Sequence, residues 1–253
     1  MNNISIDVYN EGASKTPLVC IHGFLETKEM WSNLHLFFVD RPIICIDVPG
    51  HGQSEIAEDT NCSMETIASM IEESLRSMSI DKYDVIGHSM GGYIALSLLE
   101  QFPAQINKCI LLNSNFLDDT EEKKKDRVRS LKMLAKYPKL YFKQAFEGLF
   151  IEPELHMDAI NRLIEHAKGL NHFGIQFALE AMMFRKNQSN LVKMNSDRFF
   201  MIQGEKDAMF MDPVAYESVL PSAHWTTIKD SKHMSLIEQQ QVTLEAVLTI
   251  IEK

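Results

Sequence analysis

The sequence predicts an α/β protein, with a mostly parallel sheet covered by helices on both faces and a helical insertion ahead of the last strands. Three observations carry that expectation. Short apolar runs alternate with helically periodic segments over residues 1–115, the order that builds parallel sheets. Several of these runs are continuously apolar, as strands buried on both faces require. The rhythm stops near Phe116 and resumes near Phe199.

Ile4, Ile6 and Val8 alternate with polar neighbours and predict a half-buried strand. Residues 11–15 form a turn into the apolar run Leu18–Ile21, and the two runs are expected to pair as a hairpin. Ile43–Ile46 is the next strand. Ile67, Ile71, Leu75 and Met78 recur at helical spacing. Residues 84–86 predict a strand, residues 93–99 a compact apolar helix ending before Pro103, and residues 109–112 another strand. The insertion, residues 116–190, opens on the charged stretch DDTEEKKKDRVR, read as a solvated helix face. It then turns rich in Met, Phe, Leu and His. Strands are expected again at 199–203 and near Trp225–Ile228. A last helix carries Leu244, Val247, Leu248 and Ile251 on one stripe. The core is thus 1–115 plus 191–253.

Composition bounds the function. The chain has 253 residues, 45% hydrophobic and 24% charged, which suits one soluble domain with an inserted lobe. A formal net charge of −10 argues against nucleic-acid partners, which need a basic surface. No secretory leader and no bilayer-spanning run is visible, so cytoplasmic residence without a membrane partner is expected. Cys20, Cys45 and Cys109 sit in apolar runs and, with Cys62, read as reduced thiols. The absence of a CxxC pair argues against a metal site.

The chemistry-bearing signal is Gly87-His88-Ser89-Met90-Gly91, between a predicted strand and a predicted helix. That strand–turn–helix setting is what a G-x-S-x-G nucleophile turn requires. A serine hydroxyl needs a base, and a base needs an acceptor that fixes its tautomer. Groups that follow later strands lie at the same carboxyl edge of a parallel sheet. His233, after the last strand, is the expected base among nine histidines. His22 and His51 read as turn residues, and His88 is expected to point away. His166 and His172 are the histidines that could line a pocket from the insertion. Asp207, after residues 199–203, is the expected acceptor, with Glu205 and Asp230 as alternatives. Oxyanion donors are expected at the Met90 N–H and, in the loop His22-Gly23-Phe24-Leu25, at the Phe24 N–H; Gly23 is expected to permit an unusual backbone turn there.

These blocks, together with Asp47-Val48-Pro49-Gly50-His51-Gly52-Gln53-Ser54, Gly204-Glu205-Lys206-Asp207 and His233-Met234, resemble the α/β-hydrolase superfamily, in particular its compact serine-esterase-like members with a helical cap. The resemblance implies an eight-stranded, mostly parallel sheet with the cap inserted after strand 6, and a structural role for the Asp47–Ser54 turn. It implies ester hydrolysis through an acyl-enzyme on Ser89, on a small-molecule substrate and without cofactor. Tyr93, Phe142, Phe146, Phe173 and Met182 are the candidates for an apolar acyl pocket suited to uncharged, modest-sized esters. Helical packing accounts for the same residues. Arg127, Arg129, Arg162 and Arg185 are candidates to bind a carboxylate from the insertion, with exposed helix charges the favoured reading. Carbon–carbon bond hydrolases and the pyruvate-eliminating menaquinone-pathway synthases share the triad. The latter place an arginine four residues after the serine, where this chain has Tyr93. A non-catalytic ligand receptor is the remaining alternative.

Overall fold

The computed structural model describes residues 3–210, 216, 218–221 and 224–252. Its strands are β1 (Ile6–Tyr9), β2 (Leu18–Ile21), β3 (Ile43–Ile46), β4 (Tyr83–His88), β5 (Ile106–Leu112), β6 (Phe199–Gly204) and β7 (Trp225–Ile228). They form one sheet in the order β1-β3-β2-β4-β5-β6-β7, parallel except for β1. Among the described residues the sheet therefore has seven strands rather than eight, and the helical segment follows the fifth of them. The expected hairpin does not form. Both edges of β2 are occupied by β3 and β4, so β1 pairs antiparallel with the outer edge of β3.

Every residue of β2, β3, β4 and β6 is buried, as expected for strands covered on both sides. Successive side chains go to opposite faces. Val19, Ile21, Ile44, Ile46, Val85 and Leu111 belong to one core. Leu18, Cys20, Ile43, Cys45, Ile86 and Ile110 belong to the other. The helices are α1 (Leu34–Phe37), α2 (Met64–Ser77), α3 (Met90–Gln101), α4 (Glu121–Lys136), α5 (Pro138–Glu147), α6 (Met157–Lys168), α7 (His172–Met183), α8 (Ser189–Met194), α9 (Ser235–Glu238) and α10 (Gln240–Ile251).

Helix α2 begins where Ser63 accepts the Thr66 N–H at 3.0 Å, and it buries Ile67, Ile71 and Leu75. Met78 lies past its end and is exposed. Helix α3 is buried along nearly its whole length. Helices α4 to α8 occupy the segment between β5 and β6; the expected boundary at 190/191 falls inside α8. Helix α4 buries only Leu134, so its charge run is largely solvated. Helix α10 packs on the second core through Leu244, Val247, Ile250 and Ile251, while Leu248 is partly exposed. Among the described residues no helix is long and apolar enough to cross a membrane.

Candidate active site

Ser89 joins β4 to α3 with φ 51° and ψ −116°. A non-glycine residue in that region costs about 1–3 kcal/mol and persists only where its surroundings enforce it. Here the Ser89 N–H donates to the Leu112 carbonyl at 3.0 Å, and the Ser114 hydroxyl donates to the Ser89 carbonyl at 2.6 Å. The flanking glycines are required by close approach of backbone. A Cβ on Gly87 would overlap the Gly91 carbonyl, and one on Gly91 would overlap the Ile21 carbonyl at the end of β2. The result is a half-buried hydroxyl above the carboxyl edge of the sheet.

The loops after β6 and β7 bring Asp207 and His233 to the same place. The Ser89 hydroxyl donates to His233 Nε2 at 2.9 Å, and His233 Nδ1–H donates to Asp207 Oδ2 at 2.9 Å. The tautomer follows from the partners, since a carboxylate only accepts. Burial pushes the Asp207 carboxyl up, but His233, the Met209 N–H and the Asn113 amide outweigh it and hold it below the ordinary aspartate range. Of the alternatives, Glu205 pairs with Lys206 on the surface, and Asp230 occupies a turn with φ 49°.

Asn113 was missed by the sequence argument. It is fully buried just past β5 and adopts φ 47°. Its amide donates to Asp207 Oδ2 at 3.0 Å and to the Lys232 carbonyl at 2.9 Å, joining the acid loop to the histidine loop. The available signal was its position, since polar residues after β5 share the carboxyl edge with Ser89.

Phe24 and Ser89 line one cavity. Met90 is the first residue of α3, where amide groups lack helical partners. The unusual turn expected at Gly23 lies instead at Leu25, which has φ 64°. Gly23 is needed for a different reason: a Cβ there would lie 2.8 Å from Glu26 Oε2 and 3.1 Å from His88 Nδ1. His22 is structural. Its Nε2 accepts the Val48 N–H at 2.9 Å, and its Nδ1–H donates to the Gly23 carbonyl at 2.8 Å. His51 is buried with its ring edge-on to Phe24, and burial pushes its pKa down to about 3. His88 is absent from the cavity lining, its ring nitrogens taken up by Glu26 and the His233 carbonyl.

The cavity at Ser89 has a volume of about 160 Å³. Tyr93, Phe146 and Met182 line it as expected; Phe142 and Phe173 do not. Phe142 is buried in the packed core, and Phe173 is partly buried beside Phe177. One residue back on α5, Tyr141 takes the cavity face, together with Ala145. A single position on a helix turns a side chain by about 100°, which separates the two aromatics. His166 faces Glu29 across a separate outer groove, and His172 is exposed at the start of α7.

Two arginines also depart from the exposed placement. Arg127 lines the cavity, and Arg185 is buried with its guanidinium 4.0 Å from the Tyr93 ring centroid. Both pair with the buried carboxylate of Asp119, whose pKa they hold down against the effect of burial. One carboxylate thus faces two guanidinium groups, and Arg127 Nη1 is left against the Met182 sulfur at 3.3 Å, a weak acceptor. Arg129 is exposed beside Asp126, and Arg162 borders the outer groove. Among the described residues no three His, Cys, Asp or Glu side chains cluster as metal ligands.

A parallel sheet with a strained serine at a strand–helix turn, and an aspartate and a histidine after later strands, defines the α/β hydrolase class. The chain belongs to that family: the family described as alpha/beta hydrolase fold matches residues 16–240. Among curated relatives it is similar to 2-succinyl-6-hydroxy-2,4-cyclohexadiene-1-carboxylate synthase of Pectobacterium atrosepticum, at 35% identity over 79 residues, 31% of this chain and 30% of that protein. It is also similar to the uncharacterized hydrolase YugF of Bacillus subtilis, at 32% identity over 45% of this chain and 41% of that one. The matches therefore span less than half the length of these two relatives. Among solved structures, a thermophilic esterase from Thermogutta terrifontis superposes with a TM-score of 0.86 at 19% identity, covering 99% of this chain and 93% of that one. MenH from S. aureus superposes with a TM-score of 0.81 at 20% identity, covering 98% and 97%. These likenesses concern the fold.

Proposed function

We propose that the protein is a serine hydrolase that cleaves carboxylic esters through an acyl-enzyme on Ser89. The observation that carries this reading is the aligned relay from the Ser89 hydroxyl to His233 and on to Asp207, each step at 2.9 Å. His233 Nε2 takes the hydroxyl proton as Ser89 Oγ attacks the acyl carbon. Asp207 stabilises the imidazolium without taking its proton. The Phe24 and Met90 N–H groups receive the oxyanion, each worth roughly 3–4 kcal/mol in the transition state. The imidazolium protonates the leaving alcohol. Water, deprotonated by His233, then clears the acyl group. A cavity of about 160 Å³ favours a short acyl chain, being smaller than the roughly 300–1,000 Å³ of drug-sized ligand pockets. A fluorophosphonate probe tests the reading: stoichiometric labelling of Ser89, absent in Ser89→Ala, supports it, and no labelling overturns it.

One observation favours a second reading. Arg127 places a cation on the cavity wall, which an uncharged ester does not use. A carboxylate-bearing substrate would, and the relative from P. atrosepticum is named as the synthase of a carboxylate. In this reading the same relay serves elimination or carbon–carbon cleavage. Arg127→Met separates the two. Asp119 keeps Arg185 as partner, so the fold is expected to survive. If Arg127 binds substrate, the variant raises KM for the p-nitrophenyl hemiester of succinate roughly 10- to 100-fold, the worth of a charge-assisted hydrogen bond. KM for p-nitrophenyl acetate stays within about 3-fold, since a neutral acyl group makes no such bond. Equal changes on both esters would remove the carboxylate reading, and turnover of 2,4-dioxo acids by the wild type would establish it.

A further inference from the structure

Beside Ser89 lies a charged pair that neither reaction scheme uses, with Glu26 on the wall of the cavity. Glu26 and His88 are 2% and 1% exposed. Glu26 Oε2 accepts the Gly23 N–H at 2.6 Å and His88 Nδ1–H at 3.0 Å. The other ring nitrogen, His88 Nε2–H, donates to the carbonyl oxygen of His233 at 3.0 Å. Both ring nitrogens thus face oxygens that accept, which an imidazolium satisfies at once.

The surroundings agree. Burial opposes charge on His88, but Glu26, the His233 carbonyl and Asp207 outweigh it and leave its pKa raised. Burial likewise opposes charge on Glu26, and His88 and the Gly23 N–H outweigh it and leave its pKa lowered. His22 is neutral by its hydrogen bonds, one accepted and one donated. The rings of His88 and His233 stand 5.2 Å apart, centroid to centroid.

We infer that Glu26 and His88 are positioning residues: one buried ion pair fixes the backbone on both sides of Ser89, at Gly23 next to the oxyanion donor Phe24 and at the base His233. The pair joins the loop after β2, the end of β4 and the loop after β7. It also gives Gly23 its reason, because the pair occupies the space that a Cβ would need. Holding the oxyanion donor and the base in register matters because a misplacement of about 1 Å costs on the order of 100-fold in rate.

The inference rests on the serine-hydrolase reading, and its test keeps the two apart. Glu26→Gln keeps one oxygen at the Oε2 position for the Gly23 N–H and His88 Nδ1–H, but removes the charge that lets His88 also hold a proton on Nε2 for the His233 carbonyl. Glu26→Ala loses both tethers. Glu26→Ala is expected to lower kcat on p-nitrophenyl acetate, and the rate of fluorophosphonate labelling, about 100-fold with KM within about 3-fold. Glu26→Gln, which keeps the Gly23 tether, is expected to recover part of that loss, which a purely structural role would not separate from thermal stability. A folded Glu26→Ala variant with wild-type kcat and labelling rate would overturn the inference. So would a Glu26→Gln variant as slow as Glu26→Ala. If Glu26→Ala does not fold, ¹⁵N NMR of wild-type histidine side chains decides: His88 protonated on both nitrogens at pH 7 supports the pair, and a neutral ring refutes it. Failure of the wild type to label at all would instead sink the serine-hydrolase reading.

Discussion

Ser89→Ala and His233→Ala are each expected to lower kcat/KM for p-nitrophenyl esters by roughly 10⁴- to 10⁶-fold, and the double variant by no more than either alone. The geometry dictates the non-additivity. The hydroxyl and Nε2 share one hydrogen bond at 2.9 Å, so removing either leaves the other without a task. Asp207→Asn is expected to lose about 10⁴-fold, because an amide donor facing Nδ1 favours the wrong tautomer. Neither single alanine leaves a cavity in the packed core, since the hydroxyl is half-buried and His233 lines the cavity at Ser89. Melting temperatures near wild type should therefore accompany the kinetic losses. Activity retained within about tenfold in Ser89→Ala would mean that another group performs the attack.

The parts of this arrangement legible in the sequence are those that backbone geometry forces into local patterns. Two glycines spaced around a serine, between an apolar run and an apolar helix, record the collisions that a Cβ would make with Gly91 and Ile21. Asp207 and His233 were legible because each follows a strand, and parallel strands share one carboxyl edge. Pairing was not legible. β1 reads equally well as the partner of β2 or β3, because sheet order depends on which edges other strands have filled. The buried pair Glu26–His88 spans 62 positions; His88 lies in a block already read for its neighbours, and Glu26 directly follows another. Which of the four candidate arginines reaches the cavity was hidden by composition: eleven of twelve residues in the stretch around Arg127 suit a solvated face, and only tertiary structure turns this side chain toward Asp119 and the cavity. Phe142 and Tyr141 show the finest failure, where an aromatic pair on α5 is plain but the face it presents is not.

Gly91→Ala is expected to be among the most damaging substitutions of a single hydrogen outside the reacting groups. The new Cβ would run into the Ile21 carbonyl and approach that of His22, both backbone atoms in the buried segment leading from β2 into the oxyanion loop. No rotamer relieves such a clash, so α3 must shift away from β2. Helix α3 is buried along nearly its whole length, and a shift opens packing on both sides. Overpacking usually costs 1–3 kcal/mol, and a collision with fixed backbone places this variant at about 3 kcal/mol or more. In a chain of this size that corresponds to a fall in Tm of roughly 6–12 °C. Because Ser89 and Met90 immediately precede Gly91, the nucleophile and one oxyanion donor move with the helix. A loss of about 100-fold in kcat is therefore expected even below the melting range. Gly12→Ala is the matched control, since nothing lies within 4 Å of its Cβ position, and it should stay within about 1 kcal/mol of wild type. Denaturant unfolding and steady-state kinetics on the pair give the comparison. Equal stability of the two variants would show that α3 and β2 are not held as closely as their backbone contact requires.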